Sequence, residues 1–205
     1  SGIMIRIDNI NVSFKIIGDF NAYNLLSVYA VAKILKIDSE IIFKRLSQLN
    51  TPEGRMDFIQ GKNNVIGIVD YAHTPDALKN VLKNISSFKK DAKVISIVGA
   101  GGDRDKSKRP EMGKIATQLS DYVFFTSDNP RDENEDNILS DIVKGAVRKN
   151  YQVISDRKKA IESAYLNYKK DSIILVAGKG HEKYQIIGEK SIPHDDKEIL
   201  KNIIL

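Results

Sequence analysis

Three observations predict an α/β domain with a doubly wound, mainly parallel sheet. Short apolar runs recur at 65–69, 94–98, 122–126, 153–154 and 173–177, and most are rich in β-branched residues. Helical stretches near 75–88, 110–119, 137–149 and 157–168 separate them. Several of the runs are apolar throughout rather than alternately. Strands of that kind are buried on both faces, so the helices must cover the sheet from both sides.

The elements follow in order. Residues 4–17 read as two short strands around Asp8-Asn9. Gly18-Asp19-Phe20-Asn21 then leads into a helix over 22–35, with apolar residues at Leu25, Leu26, Tyr29, Ala30 and Ile34. Asp38 or Ser39 can cap a second helix running through Leu46. Thr51-Pro52-Glu53-Gly54 is a turn, and strand–helix alternation starts at Arg55. Pro75 and Pro110 fall in the first turns of two of the helices, where a missing N–H costs nothing. Residues 184–192 read as a hairpin turning at Gly188-Glu189, and a helix over 196–204 ends the chain. Residues 54–205 therefore make a complete α/β domain. Residues 1–53, two strands and two helices, are a poor core alone and read as the end of another domain.

Composition narrows the chemistry. With 205 residues, 41% hydrophobic and 29% charged, the chain has the make-up of a globular protein that can bury a sizeable core. It has no cysteine, which excludes disulfides, thiol catalysis and cysteine-bound metals. The 32 basic and 27 acidic residues are interspersed, so the net charge of +5 forms no basic stripe with interleaved aromatics. Nucleic acid is an unsuitable partner on that pattern, and small anionic substrates suit it better. No apolar run approaches a membrane span and the first residues are not a signal peptide, which makes a cytoplasmic protein the expectation.

In open parallel sheets, ligands bind outside the carboxyl ends of the strands. That rule selects four loops: 70–76, 99–110, 127–133 and 178–182. The second contains Gly99-Ala100-Gly101-Gly102-Asp103-Arg104-Asp105-Lys106. Its spacing fails the dinucleotide, phosphate-loop and EF-hand patterns. Arg104 there suits bidentate capture of a carboxylate or phosphate, or else pairs locally in a solvated loop. Asp128-Asn129-Pro130-Arg131 sets a carboxylate, an amide and a guanidinium on a stiff turn. Such a turn can hold a zwitterion, with Arg131 facing a carboxylate and Asp128 or Asn129 an ammonium, or it is an ordinary Asx turn. Gly178-Lys179-Gly180-His181-Glu182 permits close backbone approach to a ligand, with Glu182 able to accept from an amine; it also fits a bulged lead into the hairpin. His73 precedes a helix N-terminus, a place that favours phosphates, or it serves as a cap. No metal-ligand spacing of histidines is present.

Taken together, Gly18-x-Phe20-Asn21-x-x-Asn24, Gly54-Arg55-Met56, Asp70-Tyr71-Ala72-His73-Thr74-Pro75-Asp76, Gly101-Gly102-Asp103-Arg104-Asp105-Lys106, Asp128-Asn129-Pro130-Arg131 and Gly178-Lys179-Gly180-His181-Glu182 resemble the Mur ligase family in order and spacing. The resemblance covers nearly the whole chain. It implies a Rossmann-like C-terminal domain at 54–205, preceded at 1–53 by the end of a central ATPase domain. The family's Gly-x-x-Gly-Lys-Thr phosphate loop and UDP-sugar pocket are not in this sequence.

The resemblance further implies ATP-driven amide formation in peptidoglycan precursor synthesis. The γ-phosphate activates the D-glutamyl carboxylate of UDP-N-acetylmuramoyl-L-alanyl-D-glutamate as an acyl phosphate, and the amine of meso-diaminopimelate displaces phosphate. By motif, Arg104, Asp128, Asn129, Pro130, Arg131, Gly178 and Glu182 would bind the diamino acid. Arg131 marks diaminopimelate over lysine. Asn21, Asn24, Arg55, Asp70 and His73 would line ATP. ATP and Mg2+ would be held mainly by regions outside this sequence, with no catalytic residue and no metal ligand assigned within it. A monomer without nucleic-acid or membrane partners is expected. The competing readings are a ligase for lanthionine, ornithine or lysine, and a non-catalytic Rossmann-type module for a diamino or dicarboxylic ligand.

Overall fold

The computed structural model describes residues 2–16 and 20–205, with only the backbone given for Phe20. Gly18 and the Phe20 side chain, both part of the first motif, therefore lie outside the described residues. The chain divides into two compact units, Ser1–Pro52 and Glu53–Leu205.

In the first unit, β1 (Ile3–Ile7) and β2 (Ile10–Phe14) form an antiparallel hairpin in which Ile7 faces Ile10. Asp8 and Asn9 both take positive φ, 47° and 66°. A two-residue hairpin turn needs that conformation, and Asp and Asn tolerate it better than most side chains. Helix α1 (Phe20–Ile34) follows, then α2 (Ser39–Leu46). Of the two candidate caps of α2, Asp38 is the one used: its carboxylate accepts from Glu40 N at 2.8 Å. Phe14, Leu25, Tyr29, Ile42, Phe43 and Leu46 form a small core of their own.

The second unit holds a six-stranded sheet in the order β3-β4-β8-β5-β6-β7. Its strands are β3 (Asp57–Gln60), β4 (Val65–Asp70), β5 (Lys93–Val98), β6 (Tyr122–Phe125), β7 (Tyr151–Val153) and β8 (Ser172–Ala177). All neighbours are parallel except β3, which pairs antiparallel with β4. The apolar runs become period-two partition within buried strands. Ile68, Val94, Val98, Val123, Phe125, Ile173 and Leu175 pack under α3 (Pro75–Phe88), α4 (Lys108–Leu119) and α5 (Glu135–Val143). Val65, Val69, Ile95, Ile97, Phe124, Ile174 and Val176 pack under α6 (Arg157–Asn167) and α7 (Asp196–Ile204). Each such side chain, fully buried, contributes about 1.5–3 kcal/mol, so this two-sided core dominates the stability of the unit.

The crossover that matters for the site is the one through α6. The chain runs outward along β5, β6 and β7, then returns on the opposite face to insert β8 between β4 and β5. The order of connection reverses there, which brings the loops after β4, β5, β6 and β8 to one end of the sheet. A hairpin, β9 (Tyr184–Ile187) and β10 (Lys190–Pro193), follows β8.

Four local expectations are corrected. Strand β3 has no counterpart in the sequence pattern, because four residues containing Asp57 and Gln60 carry too little apolar signal. Helix α5 ends at Val143 rather than near 149, its C-cap Lys144 donating its N–H to Ser140 O. Strand β7 is shifted to Tyr151–Val153. Helix α4 begins at Lys108, so Pro110 is its third residue, still within the first turn. Among the described residues, no helix is long and apolar enough to cross a membrane.

Candidate functional site: a cleft at the carboxyl ends of the strands

A cleft of about 360 Å3 opens where the four loops meet. Its lining includes Arg104, Asp128, Asn129, Arg131, Gly178 and Glu182, six of the seven residues expected to bind an amino acid. Pro130, the seventh, is buried beside them and shapes the turn rather than lining the cleft. Tyr71, His73, Gly101, Lys108 and Tyr184 complete the wall.

The cleft carries charges of both signs. Its cations are Arg104, Arg131 and Lys108. Arg131 sits at φ 53°, a left-handed backbone that costs a non-glycine residue about 1 kcal/mol. Hydrogen bonds over-determine it: its N–H donates to Ile186 O at 3.1 Å, and its carbonyl accepts from Gly188 N at 2.8 Å. Its Nη1 donates to Gly102 O at 2.8 Å, tying the β6 loop to the β5 loop. The guanidinium thus meets backbone carbonyls here, and no carboxylate pairs with it among the described residues.

Its carboxylates, Asp128 and Glu182, converge on Lys179, whose Nζ is 3.6 Å from Asp128 Oδ1 and 3.3 Å from Glu182 Oε2. Asn129 links them: its Nδ2 donates to Glu182 Oε2 at 2.9 Å, while its Oδ1 accepts from Lys179 Nζ at 2.7 Å and Ile186 N at 3.0 Å. That oxygen is saturated. Of the two ammonium acceptors the sequence suggested in this loop, Asp128 is available and Asn129 is not.

Glycine is required on both sides of Lys179. Gly178 has φ 121°, and a Cβ there would lie 2.5 Å from Asp128 Oδ2. Gly180 has φ 55°, and a Cβ would lie 2.7 Å from Tyr71 Cβ. The β8 loop can therefore fold tightly against the β6 and β4 loops only without side chains at these positions.

Beneath the cleft lie buried charges that the sequence reading did not single out. Arg157, fully buried, donates from Nε and Nη2 to the two oxygens of Asp196, at 2.8 and 2.7 Å. It also donates to Ala177 O at 3.0 Å and Ser127 O at 3.4 Å, the residues that precede Gly178 and Asp128. Burial disfavours the Asp196 carboxylate, but Arg157 and then His194 outweigh it and hold the carboxyl well below the usual range. Arg109, also fully buried, holds Glu133 bidentately at 2.8 and 2.7 Å and reaches Asp141 at 3.1 Å. It donates to Gly101 O at 3.3 Å, supporting the loop that carries Arg104. Arg109 first, and Lys106 next, keep Glu133 far below the usual carboxylate range.

These charges had a sequence signal after all. Arg109 shares a helix stripe with Met112 and Ala116, Arg157 with Ile161 and Ala164, and Asp196 with Leu200 and Ile204. An ionic residue in phase with the apolar stripe of a helix must be buried and paired.

The residues expected at ATP are divided between the two units. Asn21 and Asn24 lie one turn apart in α1, where Asn24 Nδ2 donates to Asn21 Oδ1 at 3.1 Å. Asp70 is buried and serves the backbone, accepting from Met56 N at 2.7 Å and Ala72 N at 2.8 Å. Burial pushes its carboxyl up, with those two hydrogen bonds opposing. Arg55 stacks over Tyr71 at 4.6 Å. His73 lines the cleft, and its Nδ1 donates to Tyr71 O at 2.8 Å. That bond leaves Nε2 as an acceptor in the neutral ring, so His73 would donate to a phosphate only when protonated. Among the described residues no three His, Asp or Glu side chains gather to hold a metal ion. The residues present do not fit Mg2+, and no step through it is assigned to this chain.

Fold and cleft together define a Rossmann-like α/β domain with a cleft of mixed charge at the carboxyl ends of its strands. Comparison then places it: the model of the Mur ligase glutamate ligase domain matches residues 54–180, and the chain belongs to the Mur ligase family. It is 47% identical over 197 residues to the UDP-N-acetylmuramoyl-L-alanyl-D-glutamate–2,6-diaminopimelate ligase of Bacillus cereus, covering 96% of this chain and 40% of that protein. The enzyme of the same name from Cytophaga hutchinsonii is 46% identical, covering 99% of this chain and 42% of the relative. A solved structure of a ligase of that name superposes with a TM-score of 0.72 at 32% identity, over 98% of this chain and 42% of that one. A folylpolyglutamate synthase of Thermotoga maritima shares the fold, with a TM-score of 0.64 at 18% identity over 82% of this chain and 38% of its own. The chain thus spans about two fifths of the length of the curated relatives it matches.

Proposed function

We propose that this chain is the amino-acid-receiving part of an ATP-dependent ligase that joins meso-diaminopimelate to UDP-N-acetylmuramoyl-L-alanyl-D-glutamate. The observation that carries the reading is the cleft of mixed charge, in which the Asp128–Arg131 turn and the Gly178–Glu182 loop meet. Meso-diaminopimelate has an amino-acid group at each end. One end would lie with its carboxylate on Arg131 and Arg104 and its ammonium on Asp128 and Glu182. The other amine would then be presented to the acyl phosphate. Holding the amine in place supplies much of the rate gain in such a reaction, because it replaces a bimolecular encounter.

Residues 1–53 are assigned in this reading to the end of the central ATPase domain. The apolar surface of α1 supports that assignment: Tyr23, Leu26, Val28, Val31 and Ile34 are exposed although Leu25 and Tyr29 are buried. A helix apolar all round belongs in an interior. ATP and Mg2+ are proposed to bind chiefly to the remainder of that domain, with His73 and Arg55 as contributions from this chain. The protein would act as a cytoplasmic monomer.

The test is a calorimetric titration of meso-diaminopimelate, lysine and ornithine against the wild-type protein and Arg131→Ala. The same comparison would be made in the full-length ligase by diamino-acid-dependent ADP release. Selection of meso-diaminopimelate that disappears in the variant is expected. Equal use of lysine would refute the specificity, and ADP release indifferent to any diamino acid would refute the activity.

A further inference from the structure

Lys179 is fully buried, yet it lies within the loop that lines one wall of the cleft. Its ammonium meets Asn129 Oδ1 at 2.7 Å, Glu182 Oε2 at 3.3 Å and Asp128 Oδ1 at 3.6 Å, with the Tyr184 ring centroid 5.7 Å away. A buried lysine is costly unless paired, and this one is paired with the same groups that face the cleft. Two consequences follow from its chemistry.

The first is orientation. Asn129 could in principle present either its oxygen or its NH2 toward Glu182. Lys179 and the Ile186 N–H are both donors, so the oxygen must face them and the NH2 must face Glu182. The Glu182 oxygen that accepts from Asn129 is thereby fixed, and Glu182 Oε1 has no partner among the described residues. The second is charge. Asp128 and Glu182 without Lys179 would be two carboxylates sharing one corner, which would bind a proton, a divalent cation or two ammonium groups. With Lys179 present, the corner keeps a single net negative charge.

We propose that Lys179 is the specificity-setting counter-ion of this cleft: it orients Asn129 and Glu182 and tunes the corner to accept one ammonium group. Lys179 is a positioning residue, since it acts through Asn129 and Glu182 rather than on the ligand. The inference deepens the functional reading above and rests on it for the identity of the ligand.

The experiment has a ligand-free arm and a kinetic arm. In the 205-residue protein, carboxyl-detected NMR follows Asp128 and Glu182 through a pH titration in wild type, Lys179→Met and Lys179→Arg. The side-chain amide signals of Asn129 are recorded alongside. Lys179→Met should move the midpoint of one of the two carboxyls to higher pH and shift the Asn129 amide signals. Lys179→Arg should return the midpoint toward wild type. Unmoved carboxyls and an unmoved Asn129 amide would overturn the proposal.

If Lys179→Met does not fold, the wild-type protein still decides the matter. A buried, hydrogen-bonded ammonium gives a slowly exchanging Nζ signal, and its absence for Lys179 would overturn the proposal. In the full-length ligase, Lys179→Met should raise the KM for meso-diaminopimelate by about tenfold or more, the usual consequence of disordering buried polar contacts. The KM for ATP should stay unchanged, and Lys179→Arg should recover part of the loss. Equal rises in both KM values would mean general damage and would also overturn it. A wild-type enzyme indifferent to diamino acids would sink the functional reading, while the NMR arm would still judge Lys179.

Discussion

Two arginines lie beneath the cleft and two stand at its mouth, and the same side chain does different work in the two places. Arg109 and Arg157 are fully buried, and each grips a carboxylate with two N–H groups. Among the described residues, Arg104 and Arg131 reach only backbone carbonyls: Asp103 O from Arg104, and Gly102 O and Asn129 O from Arg131. A guanidinium has five donors in a fixed fork that matches a carboxylate. Beneath the cleft the protein supplies that carboxylate itself, and the fork becomes a latch between loops. At the mouth, in the function proposed above, the carboxylate would come from the ligand. Partnership, more than residue type, separates scaffold from binding site.

The largest break in this comparison should come from beneath. Arg157→Ala leaves the buried Asp196 carboxylate with His194 as its remaining side-chain partner and releases the carbonyls of Ser127 and Ala177. Breaking such a pair costs about 3–5 kcal/mol. Urea unfolding of the 153-residue second unit should show a loss of that order, and a loss below about 1 kcal/mol would contradict the latch. Arg109→Ala should come close behind, because Glu133 and Asp141 retain some solvent and the neighbouring lysines Lys106 and Lys144.

The two regions also differ in how legible they were. The mouth was readable because its residues sit in short Gly- and Pro-containing loops directly after apolar strands. Asp128, Arg131, Gly178 and Glu182 could be placed from that pattern alone. The buried latches are harder to see: Asp196 falls at a helix start, where an acid is ordinary, and Arg109 and Arg157 lie in first turns, where the helix dipole gives a cation no support and no loop pattern marks them. Their phase with the apolar stripe gives them away only once the helix register is known, and α4 begins two residues before its proline suggested. Strand β3 escaped for a related reason: an edge strand is held by one neighbour and needs little apolar signal. Asp70, which the family motif places at ATP, gives both of its oxygens to backbone N–H groups in this chain. A motif shows that a residue type is needed, and geometry shows what needs it.

At the mouth the pattern should invert. Arg131→Ala removes no ion pair and keeps the Cβ that strains the left-handed φ, so its stability should change by only about 1 kcal/mol, the worth of the lost hydrogen bond to Gly102 O. Its affinity for meso-diaminopimelate should fall by about 1–3 kcal/mol, the usual consequence of a lost charge-assisted contact. Calorimetry and urea unfolding on the same preparation separate the two effects. A variant that loses stability and affinity together would place Arg131 among the latches.

The smallest effect tests whether the latches carry the acid sensitivity of the fold. Glu133, Asp141 and Asp196 all have carboxyls held below their ordinary values: Glu133 chiefly by Arg109, Asp141 first by Lys144 and then by Arg109, and Asp196 by Arg157 against the opposing effect of burial. A lowered folded-state value contributes stability that is fully present above the unfolded-state value, about 4 for these groups, and is lost as pH falls below it. The protein should therefore weaken steeply on acidification below about pH 4, where the unfolded chain takes up protons first. Asp141→Asn removes the most exposed of the three partners and leaves the bidentate Arg109–Glu133 contact intact. At neutral pH it should cost only about 0.2–1 kcal/mol, the range of a partly exposed pair. Below pH 4 its stability curve should converge on that of wild type, because the wild-type carboxylate is itself being lost. Parallel curves down to pH 2 would show that the Asp141 charge adds nothing to the latch, and that Arg109 is held by Glu133 alone.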